Sequence, residues 1–358
     1  MSFLSKPALA TFQRFDYQGV RALGMGEAFI ALADDSDAIW YNPAGLARIS
    51  GGHVNIFDLT VGYDSRDTMN RMFNAFFKSQ SNALLRTDTE FMRLGIAPKF
   101  VTKYLGFSLF NNFQSSSDLF DIQSINATVD IWAFNDTGAI GAMGLPIGDY
   151  ISVGGSARGF VRGSIDSHLS ALELLNQVGA TPDNFTSTIT KSLTKAIGAG
   201  YALGFNAGIL LRVPLKVDSP KVVFGATYND IGMTSFRGLS GVNKPKPIPP
   251  SLNFGTAWTY KLNPNSTITY AIDTLRWFEK KYTLPIHERI RAGVEFKYRK
   301  FSLRTGTEHG YWSWGFGWFP APHTKIMFGS YAVELGEYRY TENQRHYQLQ
   351  IAIGFNPL

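Results

Sequence analysis

The sequence predicts an all-β protein: a transmembrane antiparallel β-barrel of about 14 strands with an N-terminal hatch that plugs its lumen. Three observations lead to this prediction. Aromatic residues make up 14% of the 358 residues and charged residues 17%, against about 25% charged residues in soluble domains. No apolar run reaches the length of about 18 residues that a membrane-spanning helix needs. Alternating segments repeat to the end of the chain, and in lipid only a closed barrel pairs all the backbone groups of its strands.

The composition excludes several other functions. The chain has no cysteine, which rules out disulfides, zinc–thiolate sites and thiol catalysis. Its net charge of +6 is modest and spread along the sequence, whereas nucleic-acid binding needs a basic stripe. The first residues, MSFLSKPALATF, are too short for a signal peptide, although Ala8-Leu9-Ala10 resembles the end of one. The signal peptide is therefore expected to be absent or truncated.

Residues 1–50 are predicted to form an N-terminal extension and the hatch. Small residues alternate with bulky ones from Arg21 onward, an acidic cluster follows, and the segment closes on a Pro-Gly turn. An acid of the cluster can cap a short helix, and the residue before Pro43 should end it. A calcium loop is the alternative for the acids, but its later ligands are missing. The residues assigned to the hatch and its gating are Gly24, Gly26, Asp34, Asp35, Asn42, Pro43, Ala44 and Gly45; alternatively, they only fold the plug.

Residues 51–358 are predicted to form the barrel. The alternation is clearest at residues 201–213, 252–260, 311–318 and 347–355, and period two over nine or more residues suits a tilted membrane strand. Large aromatic side chains near strand ends fit the girdles at the two membrane interfaces. A soluble sandwich would also alternate, but its strands are mostly shorter. Because bacterial barrels have even strand numbers, a count of about fifteen candidates is reduced to 14.

Two long loops, near residues 66–88 and 163–196, interrupt the strands and are predicted to be partly helical. Apolar residues in both recur at helical spacing. In the first loop these residues could form a slot for the tail of a hydrophobic ligand, or they could pack on the barrel rim. The residues assigned to the ligand tail are Met69, Met72, Phe73, Phe76 and Phe77.

The segment from Arg21 to Ala47, RALGMGEAFIALADDSDAIWYNPAGLA, resembles the hatch of the FadL family of outer-membrane transport proteins, especially its PorV-like relatives. Glu27 stands where that motif usually has a small residue. The resemblance implies a bacterial outer-membrane barrel of about 14 strands that passes hydrophobic molecules such as long-chain fatty acids. It further implies gating by the hatch and lateral release through a kinked strand. The alternative that it leaves open is a PorV-like component of a secretion or surface-attachment system.

The expected partners are therefore hydrophobic small molecules and outer-membrane lipid, with an envelope or secretion protein as a further candidate and no nucleic acid. Strand parity places six arginines on the lumen side: Arg93, Arg158, Arg162, Arg289, Arg291 and Arg304. Glu295 follows Arg291 on one face, as Glu308 follows Arg304. Arg158 and Arg162 have no acid on their own strand face, so they are predicted to bind a ligand carboxylate; a ladder of lumenal ion pairs is the alternative.

No enzyme activity, cofactor or metal is expected. The six histidines lack metal-ligand spacing, and the Gly24-x-Gly26 pair lacks the third glycine and the surrounding unit of a dinucleotide site. An outer-membrane phospholipase or protease would need a Ser-His or Asp-His arrangement, and the sequence shows none.

Overall fold

A computed structural model describes residues 17–64, 90–120, 128–170, 196–215, 220–239, 242–277, 289–334 and 343–355. The predicted helical loop at 66–88, with the five residues assigned to the ligand tail, lies outside the described residues, as does 171–195. No helix among the described residues is long and apolar enough to cross a membrane.

The described strands form one antiparallel sheet. They are β1 (His53–Tyr63), β2 (Glu90–Ile96), β3 (Lys99–Val101), β4 (Leu105–Phe120), β5 (Thr128–Ile147), β6 (Ile151–Ser170), β7 (Ile197–Arg212), β8 (Lys221–Asn229), β9 (Arg237–Gly238), β10 (Ser251–Asn263), β11 (Ser266–Thr274), β12 (Ile290–Tyr298), β13 (Phe301–Glu308), β14 (Tyr311–Trp318), β15 (Thr324–Glu334) and β16 (Asn343–Phe355). β6 continues to Ser170, so the second predicted loop does not begin at 163. The strand extends further than the alternation of its residues indicates.

The sheet closes into a barrel because β1 pairs with β16, from Val54 opposite Phe355 to Tyr63 opposite Tyr347. β2 and β3 both pair with β1 and β4, so they are two halves of one strand. β9 makes only a two-residue pairing with β7. Counting β2 and β3 together and leaving out β9 gives 14 barrel strands, which confirms the predicted fold class.

The two faces of the wall differ as the alternation predicted. On β7, Tyr201, Leu203 and Phe205 are exposed on the outside, whereas Asn206 is buried inside. On β16, Gln348 and Gln350 are buried on the inner face, as are many polar groups of the other strands. An apolar outside and a polar inside are the arrangement of a membrane barrel.

The two ends of the barrel also differ. One end carries short turns, such as the one between Ile147 and Ile151, and we call it the short-turn end. The opposite end, the long-connection end, carries the segments between Tyr63 and Glu90 and between Ser170 and Ile197. In outer-membrane barrels the short turns face the periplasm and the long connections face outward.

Residues 17–50 pack against the inner face of the barrel wall, and we call this segment the hatch. It contains α1 (Val20–Gly24), α2 (Ala38–Tyr41) and a 3₁₀ helix (Pro43–Arg48). α1 packs against β13 to β16, and the 3₁₀ helix packs against β5, β6 and β7. Much of the core is built from these hatch residues, which explains why so many of them are small.

One expected helix cap in the hatch is wrong, and the expected helix end is confirmed. α2 begins at Ala38 with no side-chain cap; Asp34 and Asp35 are too far upstream and bond Arg21 instead. α2 does end before Pro43, because Asn42 is extended, with φ −156° and ψ 101°. The side chain of Asn42 then accepts a hydrogen bond from the Ala44 amide and caps the 3₁₀ helix.

Candidate functional site

A buried charge cluster around Arg21 joins the hatch to the barrel wall. The guanidinium group of Arg21 donates to both carboxylate oxygens of Glu295 on β12, at 2.9 and 2.7 Å. Its remaining nitrogen donates to Asp34 at 2.6 Å and to Asp35 at 2.7 Å. Arg304 on β13 donates to the same Glu295 at 2.7 Å. The acidic residues of the hatch motif therefore orient the arginine that fastens the hatch.

A second cluster surrounds Lys99, the first residue of β3. Lys99 is 2% exposed; its ammonium group lies 2.6 Å from Asp37 of the hatch and 2.9 Å from Asp58 of β1. It also donates to the hydroxyl of Tyr17 at 2.6 Å. Lys99 follows the Ala97-Pro98 break that separates β2 from β3. One ammonium group thus connects the hatch to the edge of the interrupted strand.

The wall also binds the hatch backbone. Asp273 on β11 accepts hydrogen bonds from the amides of Phe29 and Ile30, at 2.6 and 2.8 Å. Within the hatch, Asn42 donates to the carbonyl of Ile30 at 3.0 Å. These bonds satisfy backbone groups that would otherwise be buried without partners.

Glycine is required where the hatch backbone touches the wall. Gly26 has φ +63°, and a Cβ there would overlap the backbone of Thr307 on β13. Gly24 lies against Gly315 on β14, where a Cβ would sit 3.1 Å from the facing Cα. Both predicted hatch glycines are therefore contact points with the barrel.

The turn after α2 fits against glycines of β6 and β7. A Cβ at Gly208 would overlap the side-chain oxygen of Asn42 and come close to Pro43, and one at Gly154 would overlap the Ala44 amide. Gly45 instead packs against the hatch's own backbone. The motif Asn-Pro-Ala-Gly is therefore matched by glycines in the wall.

The two arginines expected to bind a carboxylate are already paired with acids. Arg158 donates to Asp230 at 2.6 Å, and Arg162 donates to both oxygens of Asp136 at 2.7 and 2.6 Å. Neither acid is on β6, the strand of the two arginines. The residues of that strand alone therefore give no sign of the pairing. The pairing favours the lumenal ion-pair alternative for both residues.

Two further lumenal arginines also pair with acids on a neighbouring strand. Arg291 on β12 donates to Glu308 on β13 at 2.5 Å, and Arg304 pairs with Glu295 directly opposite it. Side chains opposite each other in adjacent strands are closer than side chains four positions apart in one strand, which is why these pairs form.

A cavity of about 160 Å³ lies between the hatch and the long-connection end of the barrel. The hatch contributes the aromatic lining residues, and the rest of the chain contributes most of the polar ones. Its apolar and aromatic lining residues are Tyr17, Ile30, Trp40, Tyr41, Ile248, Pro249 and Leu275. Its polar and charged lining residues are Glu27, Arg158, Asn206, Thr227, Asn229, Asp230, Ser251, Asn253, Arg276 and Arg291.

Glu27 is a buried acid in the wall of this cavity. It has φ 60° and accepts hydrogen bonds from the Tyr41 hydroxyl at 3.1 Å, with Arg291 at 3.9 Å. Burial, together with the nearby Glu308 carboxylate, raises the pKa of Glu27 from 4.5 to about 8. The seated hatch therefore holds a proton near neutral pH that an exposed glutamate would release.

The seating of the hatch is expected to weaken as pH rises. The pKa of Glu27 is higher in the seated hatch than in an exposed one. Its contribution to the free energy of hatch seating is therefore present at low pH and is lost between pH 4.5 and about 8. Cleavage of the hatch by added protease should therefore be faster at high pH than at low pH. Glu27→Gln, which keeps the shape and cannot ionise, should flatten this dependence; an unchanged pH profile in that variant would contradict the assignment.

Neither a protein-family model nor a curated protein sequence matches the chain. Solved structures do. The toluene transporter TbuX of Ralstonia pickettii is 12% identical, with 96% of this chain and 99% of that chain covered and a TM-score of 0.58. A deletion mutant of the monoaromatic hydrocarbon channel TodX is 15% identical over 94% and 98%, with a TM-score of 0.56. The monoaromatic hydrocarbon channel CymD gives 12% over 96% and 99%, with a TM-score of 0.52.

The chain has the fold of these channels. The shared fold agrees with the barrel of about 14 strands that the resemblance of the hatch motif implied. Together with the apolar outer face, the closed barrel places the protein in the bacterial outer membrane.

Several residues that bind the hatch have no clear signal in the sequence. Lys99 lies beside a proline and outside any long alternating segment. Asp273 is the last residue but one of a strand whose other residues are unremarkable. Glu295 does stand out in the sequence, as an acid on the same strand face as Arg291. An acid or a lysine on the inner face of a strand, opposite the hatch motif, is the one pattern that could have identified them.

Proposed function

We propose that this protein is a passive channel for small hydrophobic compounds, in particular compounds with a single aromatic ring. The observation that carries the proposal is the cavity of about 160 Å³ between the hatch and the long-connection end. A dry protein cavity of about 150 Å³ accommodates benzene. Trp40, Tyr41 and Leu275 supply aromatic and apolar surface for such a ring. TbuX is a toluene transporter, and TodX and CymD are monoaromatic hydrocarbon channels, which supports the same ligand class.

Long-chain fatty acids, the cargo best known from the resembled family, are supported less well. A fatty acid needs a long slot and a cation for its carboxylate. The cavity is the size of one ring, and Arg158 and Arg162 are both engaged by acids. The PorV-like alternative draws no support from the described residues.

We propose that the hatch gates this path. Its helices fill the lumen below the cavity, and the clusters at Arg21 and Lys99 fasten it to the wall. A ligand in the cavity is therefore kept from the short-turn end as long as the hatch is seated. Movement of the hatch, or of the wall beside it, is what releases the ligand.

The release route that we propose leads sideways through the wall at Ala97-Pro98. Pro98 has no amide to donate to a neighbouring strand, and β2 and β3 are separated there. Lys99 places this break next to the hatch. A hydrophobic compound that leaves here enters the membrane without crossing the periplasmic water.

Filling the cavity tests the function. Ile248→Trp places a much larger side chain in its wall and is expected to reduce toluene flux about tenfold, because a filled pocket leaves no room for the ring. Flux should be measured in proteoliposomes with lipopolysaccharide in the outer leaflet, because small aromatics cross phospholipid bilayers unaided. The matched control is Ile147→Trp, at an outward position that is 55% exposed. Equal toluene flux in Ile248→Trp and the control would overturn the proposal.

A further inference from the structure

A run of basic side chains lines the mouth of the barrel at the short-turn end. Arg212 ends β7, Lys221 begins β8, Lys261 lies near the end of β10, and Lys297 lies near the end of β12. We call these four residues the basic arc. The first three are exposed, and the side chain of Lys297 is 39% exposed. All four are therefore accessible from the water at this end of the barrel.

The basic arc lies on the inner face of the wall and not on the lipid face. Residues two or four positions apart lie on the same face of a strand. At these spacings from the arc stand Leu210 on β7, Val223 on β8, Ala257 on β10 and Glu295 on β12. Three of these neighbours are buried, and the fourth, Val223, packs against the hatch core. The arc residues share that face, so they border the lumen and are turned away from the membrane.

The members of the arc are close neighbours across the strands. Lys221 is the diagonal neighbour of both Arg212 and Lys261, and side chains in such positions are about 7–8 Å apart. Thr267 on β11 lies directly opposite Lys261 on one side and Lys297 on the other. Like charges at these distances repel one another. The arc therefore concentrates positive charge along one part of the mouth.

The acids at this end do not neutralise the arc. Among the described residues, no acid forms an ion pair with its three exposed members. Lys297 lies 3.1 Å from Glu295, but that carboxylate is shared with two arginines. Asp34 is bonded by Arg21, and Asp149 is one exposed acid in the turn before β6. The connection from β7 to β8 adds one lysine and one aspartate, whose charges cancel.

The hatch adds a further positive charge beside the arc. Arg48 ends the 3₁₀ helix of the hatch. Burial and the nearby Arg212 guanidinium lower the pKa of Arg48 to about 10, although Asp34 acts in the opposite direction. Arg48 therefore stays charged at neutral pH. A negatively charged molecule on the arc would also lie next to the hatch.

The length of the arc fits an extended acidic peptide. From β7 to β12 the arc crosses four strand spacings of about 4.8 Å, or about 19 Å. That is the length of about six residues of extended chain. A single phosphate or lipid headgroup would meet only one or two of these charges, and the headgroups of the membrane lie on the other side of the wall.

We infer that the basic arc binds an acidic segment of a periplasmic protein. The short-turn end faces the periplasm in outer-membrane barrels, so a soluble protein of that compartment can reach it. Several carboxylates on one extended segment would pair with the arc, and complementary charge speeds the encounter and selects the partner. The binding is independent of the compound that the channel passes, because the cavity lies on the long-connection side of the hatch.

A fluorescein-labelled peptide of ten glutamates is a suitable probe, with a peptide of ten glutamines as its uncharged counterpart. The dissociation constants should be measured by fluorescence anisotropy on the full chain in nanodiscs of phosphatidylcholine, a lipid without net charge. The wild type should bind the glutamate peptide and not the glutamine peptide. The triple variant Arg212→Gln, Lys221→Gln, Lys261→Gln should weaken this binding about tenfold, or about twofold for each charge, because exposed ion pairs are individually weak.

The matched control removes three exposed basic residues from turns at the same end, as Lys103→Gln, Arg299→Gln, Lys300→Gln. It changes the net charge of the chain by the same amount and leaves the arc intact. Its dissociation constant for the glutamate peptide should stay within about twofold of the wild type. The comparison separates the arc from the general charge of the short-turn end.

Three results would overturn the inference. The first is a wild type that binds the two peptides equally or not at all. The second is an equal loss of binding in the arc variant and the control. The third is a loss of bound phosphatidylglycerol from the arc variant alone in native mass spectrometry, which would make the arc a lipid site. Folding is checked by heat-dependent migration on a gel, and if the triple arc variant does not fold, Lys221→Gln decides, with an expected loss of about twofold.

Discussion

Arg21→Ala is expected to release the hatch and to make the barrel leak ions. The substitution leaves Glu295, Asp34 and Asp35 without the guanidinium that joins them. Removing one partner of a buried ion pair typically costs about 3–5 kcal/mol. Arg304 still pairs with Glu295, and Asp34 is half exposed. The free energy that holds the hatch in place is therefore expected to fall by the lower value, about 3 kcal/mol. The primary measurement is conductance in a planar bilayer, where the variant should show larger and more frequent openings than the wild type.

Two further variants make this prediction specific. Arg212→Ala removes an exposed arginine at the end of β7 and should leave the conductance unchanged. Arg21→Lys keeps the charge but loses the forked geometry that reaches Glu295 and the two aspartates, so its leak should be intermediate. A closed, wild-type conductance in Arg21→Ala would show that the hatch is held mainly by packing.

The sequence predicted the barrel well because the membrane imposes a simple rule on each strand. Residues that face lipid must be apolar, and the next residue faces a polar lumen. The succession from Phe205, exposed outside, to Asn206, buried inside, shows that rule. Parity alone therefore assigns the face of a side chain, and it did so for Arg158 and Arg162.

The alternation of inward and outward positions along a strand does not give the register between strands. The contacts of the candidate site depend on that register. Arg162 meets Asp136 because these residues are directly opposite in β6 and β5, 26 positions apart in sequence. Asp230 reaches Arg158 from the end of a strand that is not its neighbour. Such contacts are set by the tilt and closure of the whole barrel, so no local pattern announces them.

The hatch motif was recognised, but the reason for its acids was not. A local rule of helix capping suggested a role for Asp34 or Asp35, whereas the structure uses them to hold Arg21. The competing interaction prevails because a buried guanidinium with three carboxylates around it gains charge-assisted hydrogen bonds that a cap of a four-residue helix cannot match. The motif is thus a set of wall contacts, which explains why it is long and specific.

Lys99→Met is expected to uncouple the hatch from the break in the wall and to raise the flux of hydrophobic compounds. The ammonium group of Lys99 is enclosed by Asp37, Asp58 and Tyr17. Methionine keeps the length of the side chain but leaves two buried carboxylates close to each other, at a cost of about 3–5 kcal/mol. The segment around Asp37 should move away from the wall beside Pro98. Toluene flux in lipopolysaccharide-containing proteoliposomes is the measurement, and urea titration of the folded barrel shows the loss of stability.

The triple variant Lys99→Met, Asp37→Asn, Asp58→Asn separates two effects: the repulsion between the carboxylates and the loss of the ion pair that joins the hatch to the wall. Its three neutral side chains remove the repulsion between the carboxylates, so the stability should recover to within about 1–2 kcal/mol of the wild type. The flux should nevertheless remain high, because no ion pair then joins the hatch to β3. Lys103→Met, an exposed lysine in the turn that follows β3, should behave as the wild type in both measurements. If the triple variant regains both stability and wild-type flux, the Lys99 cluster stabilises the fold without controlling release. Release through the break at Ala97-Pro98 would then depend on the wall alone.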